Sequence, residues 1–172
     1  GDFDRLEALL DSTLTGMTGA ERDYNDMAEL QDLLATYFRD GSDNDREALR
    51  RWSQAEQLLW QDKPDEALGE LDELRNQKTE PALQALILWR EADLRRRMNQ
   101  PKKAITLARE LAKTELGDHG WLLLGETLEF NRGNREQALE AYYHILNEWP
   151  RSILYEPVRL HIRKLTKDTE SS

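Results

Sequence analysis

The side chains best suited to chemistry are spread thinly along this chain. Its three histidines, His119, His144 and His161, stand 25 and 17 residues apart, with no HExxH spacing and no nucleophile motif beside them. There is no cysteine, which removes disulfides and thiolate metal ligands from consideration. Each histidine is therefore expected in a structural or surface role. The segment GETLEFNRGN, from Gly125, lacks the glycine spacing of a dinucleotide loop. Carboxylates are plentiful, but none lies in an apolar segment that would raise its pKa towards general acid work. The expectation is a chain that is not an enzyme, with no catalytic residue, no metal site and no cofactor.

Charge narrows the partners. The 172 residues carry 34 acidic and 24 basic side chains, a net charge of −10. Residues 1–47 hold 13 acidic and 4 basic groups, so the excess acid is concentrated there. Such a surface repels nucleic acid, whose backbone requires clustered Lys and Arg. The one basic run, Arg90, Arg95, Arg96, Arg97, Lys102 and Lys103, is expected to be a solvated helix end complementing the helix dipole, with docking of an acidic segment as the alternative. No apolar run approaches the ~18 residues of a membrane span. The chain opens on Gly1 rather than Met, as expected of a trimmed start, and no leader is inferred from it.

The elements that would position a surface are helices. With 38% hydrophobic and 34% charged residues but only nine Gly and five Pro, the composition is that of an all-α protein with a large exposed surface. Residues 1–47 are expected to form an added acidic hairpin. Phe3, Leu6, Leu9 and Leu10 share one face, Thr18 and Glu21 have capping-box spacing, and Tyr24, Met27, Leu30, Leu34 and Phe38 recur every three or four residues. Gly41 and Ser42 then mark a helix stop and the cap of the next helix, with DNDRE as its acidic first turn.

The clearest hairpin runs from Trp121 to Pro150. Trp121, Leu124, Gly125 and Leu128 lie on one side of a first helix, and Ala138, Leu139, Tyr142, Ile145 and Leu146 on one side of a second. Gly125 and Ala138 are the small residues expected where the two backbones approach. This order resembles the tetratricopeptide repeat, which runs W-x2-L-G-x2-Y, then A-x3-F, then P. Leu128 takes the first aromatic position and Tyr142 the second, and the turn is one residue longer than in that family.

Weaker copies precede it. Ala55 and Ala67 are twelve apart, as are Ala92 and Ala104, and the turns KPDEAL, QPKKAI and NREQAL correspond. The second-helix alanines Ala67, Ala104 and Ala138 are 37 and 34 residues apart, near the family period of about 34. Three repeats are expected at 48–81, 82–117 and 118–151. Residues 152–172 are expected to be a capping helix, striped by Leu154, Val158, Ile162 and Leu165, with a frayed tail. The predicted fold is all-α, a right-handed array of about nine helices. The junction NEWPRSILYEP also resembles the P-x-S junctions of tetratricopeptide lipoproteins in bacterial envelopes, which implies a periplasmic or cell-envelope location over a cytoplasmic one.

A non-catalytic interaction module, or scaffold, follows from these observations. The resemblance implies that the first helices line a concave face, which would carry Trp52, Glu56 and Leu59, then Trp89, Asp93 and Arg96, then Leu122, Glu126 and Glu129. An apolar ladder (Trp52, Trp89, Leu122) and an acidic ladder (Glu56, Asp93, Glu126) would suit a protein or peptide partner with apolar and basic residues. The acidic ladder has the wrong sign for the family's carboxylate clamp. The alternatives are self-association, or a structural domain of a longer chain with the tryptophans covered by residues 18–40.

Overall fold

A computed structural model describes residues 41–130 and 134–170, with Arg5, Ala8, Thr36 and Arg39 as isolated positions before them. The expected N-terminal hairpin lies outside the described residues. Those described form seven α-helices and no strand: α1 (Asp43–Trp60), α2 (Pro64–Arg75), α3 (Pro81–Arg97), α4 (Pro101–Leu111), α5 (Gly117–Phe130), α6 (Arg135–Glu148) and α7 (Tyr155–Glu170). The architecture is an all-α array of helical hairpins. The chain divides into two compact units, Gly1–Leu83 and Gln84–Ser172.

In the first unit, Ser42 caps α1. Its hydroxyl accepts the Asp45 N–H at 3.2 Å, and Asp45 Oδ2 accepts the Ser42 N–H at 3.1 Å, a reciprocal capping box. Asp45 Oδ1 also accepts the Glu80 N–H at 2.9 Å, fixing the approach to α3. Burial alone would raise the Asp45 pKa, but hydrogen bonds from Ser42 and Glu80 outweigh it and hold the carboxyl below its ordinary range. The helix starts at Asp43, as expected with Ser42 as its cap and DNDRE as its first turn. Ala55 on α1 and Ala67 on α2 are fully buried, with Leu49, Leu71 and Leu74 around them. Arg51 of α1 clamps α2 through Glu70 at 2.8 Å and Glu73 at 2.5 Å.

The turns correspond in backbone as well as in sequence. Asp62 and Asn99 both take a left-handed conformation, φ 58° and 56°, two residues before the prolines that open α2 and α4. In the first, the Lys63 N–H reaches Leu58 O at 2.9 Å and the Asp62 N–H reaches Leu59 O at 3.0 Å. In the second, the Gln100 N–H reaches Arg95 O at 2.9 Å and the Asn99 N–H reaches Arg96 O at 3.1 Å. Both are Schellman stops followed by Pro at the first helical position, where no N–H is missed.

The second unit has one continuous core. Ala85, Leu88 and Ala92 of α3, Leu107, Ala108 and Leu111 of α4, Leu123, Leu124 and Leu128 of α5, Ala138, Tyr142 and Ile145 of α6, and Val158 and Ile162 of α7 form it. Helix α5 packs on α4 before it and α6 after it, and α7 packs on α6, so successive pairs stack. Two glycines of α5 permit this. A Cβ on Gly120 would lie 2.7 Å from Ala112 Cα and 2.9 Å from Ala108 O, so here the α5 backbone meets the end of α4. A Cβ on Gly125 would enter the Tyr142 ring, 2.7 Å from Cδ1. The expectation of two backbones meeting at Gly125 is thus corrected: the space is taken by an aromatic ring, and the tight backbone approach is at Gly120. Pro157 stands in the first turn of α7, where its missing N–H costs no helical bond.

Candidate functional site

The most built feature of the second unit is a groove of about 740 Å³. Arg96 of α3 lines it, with Leu122, Glu126, Glu129 and Phe130 of α5, Tyr142 of α6, and Leu154, Pro157, Val158 and His161 from α7 and its approach. Leu122, Glu126 and Phe130 are four residues apart and so share one line along α5. Leu154, Val158 and His161 recur at the spacing of one helical face on the opposite side.

Its polar floor is a network. The Tyr142 hydroxyl donates to Glu129 Oε2 at 2.8 Å, and His161 Nε2 meets the same oxygen at 2.7 Å. The His161 ring stands edge-on to Tyr142, centroids 5.2 Å apart. Burial, and then the Glu129 carboxylate, push the Tyr142 hydroxyl pKa far up, so it stays protonated as a donor. On α3, Arg96 Nη2 lies 2.7 Å from Asp93 Oδ1 and 3.5 Å from Glu126, while Arg97 Nε lies 2.7 Å from Asp93 Oδ2. The expectation that no carboxylate has its pKa raised by its surroundings is corrected at Glu126: burial comes first in raising it, and Asp93 and Glu129 add repulsion against the attraction of Arg96 and His161.

The structure brings together four of the residues expected on the concave face: Arg96, Leu122, Glu126 and Glu129. Asp93 is 3% exposed and ion-paired to two arginines, with a hydrogen bond at Oδ1 from Arg96 and none at the buried Oδ2, so its carboxylate faces the interior. Trp89 is half-buried and stands edge-on to His119, centroids 6.4 Å apart, outside the groove lining. Trp52, Glu56 and Leu59 belong to the first unit and are all half-buried; the Trp52 Nε1 is buried with no hydrogen-bond partner among the described residues. The basic run is corrected in one respect. Arg95 is 5% exposed, not solvated, because its guanidinium pairs with buried Glu91 at 2.9 Å and donates to Gln100 at 2.8 Å.

Residue patterns did not reveal the Tyr142–Glu129–His161 network. Glu129 on α5 and His161 on α7 are 32 residues apart, and only the packing of both helices against α6 unites them. Tyr142 was legible as a packing residue alone, and Phe130, 78% exposed at the groove rim, carried no signal beyond being apolar at a helix end. Among the described residues, no group of three or more His, Cys, Asp or Glu is arranged to hold a metal, and no helix is long and apolar enough to cross a membrane. A smaller concavity of about 490 Å³ between α4, α5 and α6 holds Trp121 stacked on His144, with Arg109 and Lys113 at its edge. Comparison of the chain with protein families, with curated proteins and with solved structures finds no match in any of the three.

Proposed function

We propose that this chain is a non-catalytic interaction module of the tetratricopeptide kind, taking a segment of a partner protein into the groove between α3, α5, α6 and α7. The observation that carries this reading is the convergence of Arg96, Leu122, Glu126 and Glu129 in one groove whose rim presents Phe130, a large apolar side chain 78% exposed. Exposed aromatics beside a concavity are the usual anchors of protein interfaces. Absence of catalysis is supported by the way Glu129, Tyr142 and His161 are used: one carboxylate oxygen takes both neighbours, as a network that fixes α7 would. Trp52, Glu56 and Leu59 remain a separate expectation for the first unit, and a cell-envelope location rests on the NEWPRSILYEP junction alone.

A second reading, packing against more of a longer chain or against a copy, is favoured by Ile153 and Leu160, which are 83% and 49% exposed. Placing a photocrosslinking phenylalanine analogue at position 130 in the native organism separates the two. A discrete heterologous adduct, lost with Leu122→Arg, supports the module. Adducts only with the chain itself support association, and no adduct from position 130 removes the groove from consideration.

A further inference from the structure

The three carboxylates in and beside the groove are not equivalent. Asp93 has a guanidinium nitrogen 2.7 Å from each oxygen, Arg96 as a hydrogen bond to Oδ1 and Arg97 as an ion pair to Oδ2 without hydrogen-bond geometry, and Glu129 is met by the Tyr142 hydroxyl and His161 at 2.8 and 2.7 Å. Glu126 has a single ion-pair partner among the described residues, Arg96 at 3.5 Å, and that arginine is already directed at Asp93. Its side chain is 38% exposed, so it is partly withdrawn from water yet open to a ligand. A carboxylate in that position is undercompensated, and a further cation would relieve it.

Its surroundings define what the cation is attached to. Leu122 and Phe130 flank Glu126 on α5, and Leu154, Pro157 and Val158 line the same groove. An anionic occupant would meet Glu126 and Glu129 together, and a neutral one would leave Glu126 as it stands. A guanidinium or ammonium on Glu126 would also lie near the Phe130 ring, whose face attracts cations.

We propose that the groove receives a partner-protein segment that sets an arginine or lysine on Glu126 and a large apolar side chain beside it, between Phe130 and the α7 side. The inference rests on the reading of the groove as a partner site. Within the second unit the acidic contact is Glu126 rather than Asp93, whose carboxylate is ion-paired to Arg96 and Arg97.

An array of end-blocked, fluorescein-labelled peptides tests it, each with Arg, Lys, Gln or Glu at a central position and Leu, Phe or Trp beside it. Binding to the full chain is read by fluorescence anisotropy. The best Arg or Lys peptides should bind at least fivefold more tightly than their Gln counterparts and lose that margin at high salt, and Glu peptides should not bind. Glu126→Gln should weaken Arg peptides by about five- to tenfold while leaving Gln peptides unchanged, the scale of one partly buried ion pair. Phe130→Ala should weaken both, and Lys164→Ala neither, with helical content and melting temperature unchanged in all three. Equal binding of Arg and Gln peptides, insensitive to Glu126→Gln, overturns the cation assignment while the groove stands as a peptide site. No binding by any peptide overturns both readings. Self-association abolished by Phe130→Ala would assign the groove to a second copy and overturn the proposal.

Discussion

At the scale of single residues, two glycines and one carboxylate are the most consequential. Gly125→Ala would drive a methyl into the buried, hydrogen-bonded Tyr142 ring, which has little freedom to yield; a loss of about 1–3 kcal/mol is expected by urea titration. Gly120→Ala should cost at least as much, because the obstructing atoms are Ala112 and Ala108 backbone. An unchanged midpoint in both would contradict the described packing of α5. Asp118 accepts the Ser152 hydroxyl at 2.5 Å and the His119 N–H at 2.8 Å, tying the start of α5 to the turn before α7. Burial would raise its pKa, but those bonds prevail and hold it below the ordinary carboxylate range. A depressed folded-state pKa gives stability that is present above the unfolded value of about 3.9 and is lost as pH falls through the folded one. Ser152→Ala should therefore lower stability at pH 7 by about 1–2 kcal/mol and flatten the acid-side loss below about pH 4. Parallel wild-type and variant curves in pH-dependent melting would refute that role.

At the scale of elements, stops and caps carry the argument. Asp62 holds φ 58° in the α1–α2 turn, a conformation glycine adopts without strain. Asp62→Gly should raise stability by on the order of 0.5–1 kcal/mol, the αL relief less the added unfolded-state entropy. A lower melting temperature would mean that the Asp62 side chain contributes more than its backbone costs. Helix α7 buries Val158 and Ile162 on the core of the second unit and supplies His161 to the groove floor. Removing residues 153–172 should lower the melting temperature and promote association by baring that core, whereas removing residues 168–172 should change little. Light scattering and thermal scans check both, and an equally stable monomer after the longer deletion would show that α7 is not a cap.

At the scale of the whole molecule, charge sets behaviour that no single helix determines. With a sequence pI near 4.9, solubility should be lowest around that pH and rise on either side. Precipitation scans at low salt measure it; a minimum near neutrality would point to apolar association through the exposed Phe130, Trp60 and Ile153 instead. The same acidic excess should leave the chain without measurable affinity for duplex DNA at physiological salt.

What the sequence by itself determined was periodic and local. Helical spacing identified the hairpins, and small residues at fixed separation identified where they close, since Ala55, Ala67, Ala92, Ala104 and Ala138 are all buried to 2% exposure or less. Ser42 as a cap and the corresponding turns were legible for the same reason: capping and αL stops depend on a few neighbouring residues. Tertiary structure decided what depends on distance along the chain. Only the fold could bring Tyr142 and His161 onto one oxygen of Glu129, place Asp93 between Arg96 and Arg97, bury Arg95 with Glu91, and leave Glu126 with one ion-pair partner, at 3.5 Å, among the described residues. A carboxylate's role follows from its desolvation and from which charges surround it, and neither is encoded in the spacing of a single helix.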